Sequence, residues 1–162
     1  MPINGLGKVG TNKIQGAAPS QREVGIRALA AQTKKIENLG DPGHMSNAIK
    51  GGEKWFRTHP AIVSSLSAND LKGFHVTLAQ THESLCSGAG VDVNVFEQKT
   101  GSKKVDELIE GLATDHPGQM KPAIDEAVAF LKTPAGRKTD PAALLKLHEA
   151  IGYTWIDLGK VE

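Results

Sequence analysis

"VDELIEGLATDHPGQMKP", residues 105 to 122, reads as a helix that breaks, and how it breaks decides the fold. Val105, Leu108, Ile109, Leu112 and His116 recur at i, i+3, i+4, i+7 and i+11, the spacing of one helical face. Asp106 and Glu107 sit in the first turn, near the positive end of the helix dipole. The spacing therefore turns His116 toward a core. Pro117 disfavours helical backbone at His116, so the chain leaves the helix there. Pro122 is well placed as the first residue of the next helix, with Ile124, Val128 and Leu131 inward.

The same alternation of stripes and breaks extends in both directions. Ser20 and Glu23 have capping-box spacing, and Val24, Ala28, Ala31 and Ile36 follow at helical intervals until Gly40 and Pro42. A second helix is expected from about Met45 to Arg57, weakened by Gly51 and Gly52, before His59-Pro60 turns the chain into "PAIVSSL". Ser67 or Asn69 caps a helix with Leu71, Phe74, Leu78 and Leu85 on one face, closed by "CSGAG". "VDVNVF" alternates for a few residues, but no second strand pattern exists to pair with it, so it reads as extended loop. Asp140-Pro141 opens a last helix bearing Leu144, Leu147, Ile151 and Leu158. The expectation is an all-α single domain of six to seven helices over residues 20–162, after an irregular arm at residues 1–19.

A chain of 162 residues with 39% hydrophobic content suffices for one core. Nineteen Lys and Arg against 18 Asp and Glu give a formal charge of +1, so no global field points to nucleic acid or an anionic membrane. One cysteine, Cys86, excludes an intrachain disulfide, and no apolar run marks a signal peptide or membrane span. The corresponding expectation is a soluble, cytoplasmic protein. No Gly-rich phosphate loop, Cys-x-x-Cys or His-Glu-x-x-His motif is present, and whether the chain is an enzyme stays open.

His75, His82 and Cys86 fall at i, i+7 and i+11, one helical face bearing zinc- or iron-ligating groups. A lone helix cannot close a tetrahedral site, and polar residues flanking the leucine stripe are the plainer account. Cys86 with a histidine also has the makings of a nucleophilic pair, but no cationic motif surrounds it, so a small buried cysteine is the plainer account there too.

Four stretches resemble the globins: "VDELIEGLATDHPGQMKPAIDEAVAFL", "EKWFRTHPAIVSSL", "ANDLKGFHVTL" and "PSQREVGIRAL", together spanning most of residues 18 to 131. The resemblance implies a globin-like helical domain in which His116, through Nε2, is the proximal ligand of haem iron. It puts Phe74 or His75 on the distal side, or His82 if the alignment slides, with Leu78 as the apolar ceiling. Trp55, Phe56, Leu66, Leu112 and Met120 would line the rest of the haem site. The implied task is binding O2 or another diatomic gas for transport, storage or sensing, with a homo-oligomer left open. Leu66 stands where the family places a phenylalanine, and aromatics make up only 4% of the chain. A second resemblance, of "VGIRALAAQT" to the Gly-x-Leu-Arg-x-Leu segment of bacterial GTPase-activating effectors, implies instead a helical interaction module. That module would be secreted by a leaderless route and have a protein partner, with Arg27 entering a GTPase site.

Overall fold

The computed structural model describes residues 20–37, 41–91 and 94–161, and the arm expected at residues 1–19 lies outside them. The described residues form eight α-helices and one short 3-10 turn, with no strand. The helices are α1 (Gln21–Glu37), α2 (Pro42–Thr58), α3 (Pro60–Ser64), α4 (Ala68–Ala89), α5 (Lys103–Leu112), α6 (Pro117–Leu131), α7 (Pro134–Arg137) and α8 (Pro141–Val161). The all-α class is thus as the periodicity predicts. "VDVNVF" ends in the 3-10 turn Val95–Glu97, which buries Val95.

Local chemistry accounts for most boundaries. Ser20 Oγ accepts from the Glu23 amide and Glu23 Oε1 accepts from the Ser20 amide, the reciprocal pair its spacing predicts. Ser67 and Asp70 build a second such box at the start of α4. Arg22 grips the same Asp70 carboxylate through two nitrogens, at 2.6 and 3.1 Å, which ties α1 to α4 and lowers the Asp70 pKa to about 2. At its far end α4 stops on Gly90, whose φ of 71° is left-handed backbone that glycine adopts without strain.

Two boundaries correct the sequence reading. α5 ends at Leu112 and α6 begins at Pro117, so His116 is the N-cap of α6 and Pro122 lies inside that helix. Pro117 has no amide hydrogen to extend α5, and at the first helical position of α6 none is needed. The Thr114 hydroxyl takes the His116 amide instead. On α1 the buried face is Gly25, Leu29 and Ile36, while Val24, expected inward, is 46% exposed.

α4 and α8 are at the centre. α1, α2 and α6 pack on α4, and α2, α5 and α6 pack on α8. The two cross closely at Gly152, where a β-carbon would stand 2.1 Å from the His75 carbonyl oxygen and 2.7 Å from the Ala79 methyl. Around the crossing, Phe74, Leu71 and Leu78 of α4 and Leu147, Ile151 and Leu144 of α8 are sealed from solvent. None of the described helices is long and apolar enough to cross a membrane.

Candidate thiol and histidine site at the crossing of α4 and α8

His116 does not face the core. Its side chain is 73% exposed, with Nε2 turned to its neighbour Asp115 at 3.5 Å. The apolar stripe stops at Leu112 because α5 itself stops there, so the periodicity that pointed His116 inward no longer applies. Phe74, Leu78, Leu66 and Leu112 are buried, and Phe56 stacks on Phe74 at 5.8 Å between ring centres. Trp55, at the edge of that core, stacks on His59. Leu112 and Met120 do border a cavity of about 590 Å³ with Phe96, Asp157 and Lys160, but Trp55, Phe56, Leu66, Phe74, His75, Leu78 and His82 do not line it. His116 is an exposed helix-cap imidazole, whereas Phe74, His75 and Leu78 are sealed and His82 is half-buried on another helix, so among the described residues they line no common cavity. These residues do not fit a haem in this structure.

The three groups on one face of α4 also separate. His75 pairs across the crossing with His148 of α8, Nε2 to Nδ1 at 2.9 Å, their rings stacked at 5.1 Å and edged by Phe56. Both rings are buried and neutral. Burial drives the His75 pKa down to about 3, against a smaller opposing effect of the Leu71 backbone, and pushes that of His148 in the same direction, with His75 adding to the shift of His148.

Farther along α4, His82 and Cys86 share a face at i, i+4, with Sγ 3.4 Å from His82 Nε2. From α8, the Tyr153 hydroxyl meets His82 Nδ1 at 2.9 Å, and Glu149 Oε1 stands 3.7 Å from His82 Nε2, beyond hydrogen-bond length. Burial and the positive charge of Lys146 lower the His82 pKa. Burial and Glu149 raise that of the Cys86 thiol, and burial raises that of the Tyr153 phenol. The cluster is therefore uncharged at neutral pH. Among the described residues no three His, Cys, Asp or Glu side chains are arranged to hold a metal ion, so the zinc or iron reading of His75, His82 and Cys86 gains no third ligand.

Sequence reasoning misses Glu149 and Tyr153, and gives His148 no partner. Their signal is a titratable pair, His148-Glu149, inside "AALLKLHEAIG", a run otherwise apolar enough to be buried on most sides. Compared with known proteins, the chain matches no family model, no curated protein and no solved structure.

Proposed function

We propose that this protein acts through the thiol of Cys86, which attacks a small electrophile as His82 removes its proton. The supporting observation is a nucleophile, base and orienting group in sequence: Sγ at 3.4 Å from His82 Nε2, and His82 Nδ1 at 2.9 Å from the Tyr153 hydroxyl. Both tautomers of His82 satisfy the two contacts, and the one this reaction uses has Nδ1–H donating to the Tyr153 oxygen and Nε2 accepting from the thiol. Burial keeps the thiol protonated, and Cys86 lies in the last turn of α4, where the dipole opposes a thiolate. Nucleophilic sulfur then forms only as the proton passes to His82, which makes the imidazole a general base rather than a standing counter-ion.

Because Cys86 is the sole cysteine, alkylation by iodoacetamide followed by intact mass reports on this thiol alone. His82→Ala is expected to slow labelling by about 100-fold, and Tyr153→Phe by a smaller factor. Equal rates for wild type and His82→Ala, no faster than the thiol of the unfolded chain, would overturn the proposal. Uptake of haemin with a Soret band that disappears in His116→Gly would replace it with the gas-carrier reading. Accelerated GTP hydrolysis by a GTPase, lost in Arg27→Ala, would replace it with the effector reading.

A further inference from the structure

Glu149 is an unpaired carboxyl inside this site. Its residue exposure is 4%, it engages no hydrogen bond among the described residues, and it faces the same His82 nitrogen that faces Cys86. A buried carboxylate without a partner is costly, and burial accordingly pushes the Glu149 pKa up to about 8, with Lys146 opposing the shift. His82 and Cys86 face it from α4, Lys146 and Tyr153 act from its own helix, and Glu83 adds negative charge near Tyr153. At neutral pH the carboxyl is an O–H donor that meets no acceptor among the described residues. Beside a nucleophile and its base, such a donor suits an oxygen that gains charge as the substrate is attacked.

We propose that Glu149 donates a hydrogen bond to the carbonyl oxygen of the electrophile, and that the electrophile is an α,β-unsaturated carbonyl compound. This rests on the reading of Cys86 as the nucleophile. The Sγ–H proton passes to His82 Nε2 while the sulfur–carbon bond forms at the β-carbon. The π electrons shift to the carbonyl oxygen, where the Glu149 O–H receives them as an enolate. The α-carbon then takes the proton back from His82, which restores the neutral imidazole. Nothing is oxidised and no group leaves. The place of Cys86 favours addition over acyl transfer, because a tetrahedral oxyanion is usually met by backbone amides at a helix N-terminus and this thiol sits at a C-terminal turn.

N-ethylmaleimide, whose enolate oxygen gains charge, is compared with iodoacetamide, whose displacement sends none to its carbonyl. Glu149→Ala is expected to slow the maleimide reaction at least about tenfold more than the iodoacetamide reaction. Glu149→Gln, nearly isosteric and still a donor, should keep most of the maleimide preference. In wild type the ratio of the two rates should fall as pH rises through about 8, and in Glu149→Gln it should stay flat. Rates that change in parallel for both reagents, or a ratio blind to Glu149, would overturn the carbonyl assignment while leaving Cys86 and His82 in place. Rates of both reagents that ignore His82 would instead remove the underlying reading.

Discussion

Gly152→Ala is expected to destabilise the protein by about 3–5 kcal/mol, a large share of the roughly 5–15 kcal/mol that holds a domain of this size together. The added methyl would lie 2.1 Å from the His75 carbonyl oxygen and 2.7 Å from the Ala79 methyl. Backbone cannot swing aside as a flexible side chain does, so α4 and α8 must separate. Their separation opens the sealed layer on both sides of the contact and lengthens the His75–His148 hydrogen bond. Gly73→Ala is the control: Gly73 is also helical, with nothing within 4 Å of its β-carbon position, and alanine there should stabilise by about 0.5–1 kcal/mol. Urea unfolding midpoints compare the two, and equal stability would disprove the close crossing.

The second large effect appears as pH falls. His75 is neutral in the fold, with its pKa near 3 against 6.5 for a free imidazole, so its contribution is complete above about 6.5 and is lost between there and about 3. By pH 4 the loss from His75 alone is on the order of 3 kcal/mol, and His148 adds to it in the same direction. Glu149 works oppositely. Its pKa is raised from 4.5 to about 8, so the stability tied to its neutral form is present below about 4.5 and is lost as pH rises to about 8. The two windows overlap from about 4.5 to 6.5, where two histidines gain against one carboxyl that loses, so the wild-type maximum should lie near the upper edge of the overlap, at about pH 6.5. The double substitution of His75→Leu and His148→Leu removes both buried rings and should resist acid better than wild type, even if repacking lowers its stability at pH 7. Glu149→Gln should gain stability relative to wild type as pH rises from about 5 to about 8. Urea midpoints across this range test both signs, and a double variant that loses as much stability as wild type between pH 7 and pH 4 would contradict the neutral histidine pair.

The helices were legible because their signals are local. Ser20 with Glu23, Ser67 with the start of α4, and Asp140-Pro141 each carry their own capping or proline chemistry, and the stripes of α4, α6 and α8 are buried where the spacing puts them, except that Leu85 near the end of α4 is only half-buried. His116 was misread for a related reason. Its spacing continues the α5 face, but Pro117 ends the helix four residues early, and periodicity says nothing once the helix is gone. The site itself depends on pairings about seventy residues apart, His75 with His148 and His82 with Tyr153. No spacing within one helix encodes such a pairing. The glycine that permits it, Gly152, looks in sequence like a weakness in the helix rather than a point of contact.

The dependence of the site on the α4–α8 crossing also orders its assembly. Helix pairs such as α1 with α2 and α5 with α6 close short loops, whereas the pairing of α4 with α8 closes a loop of more than fifty residues, a costlier closure that is expected to follow the packing of α4 on α1 and α2. Until α8 docks, His82 has neither Tyr153 nor Glu149 beside it, and Cys86 is an ordinary thiol on a solvated helix. The reactivity proposed for that sulfur would therefore begin only when the fold is complete, and a nascent or partly unfolded chain would carry the cysteine without it.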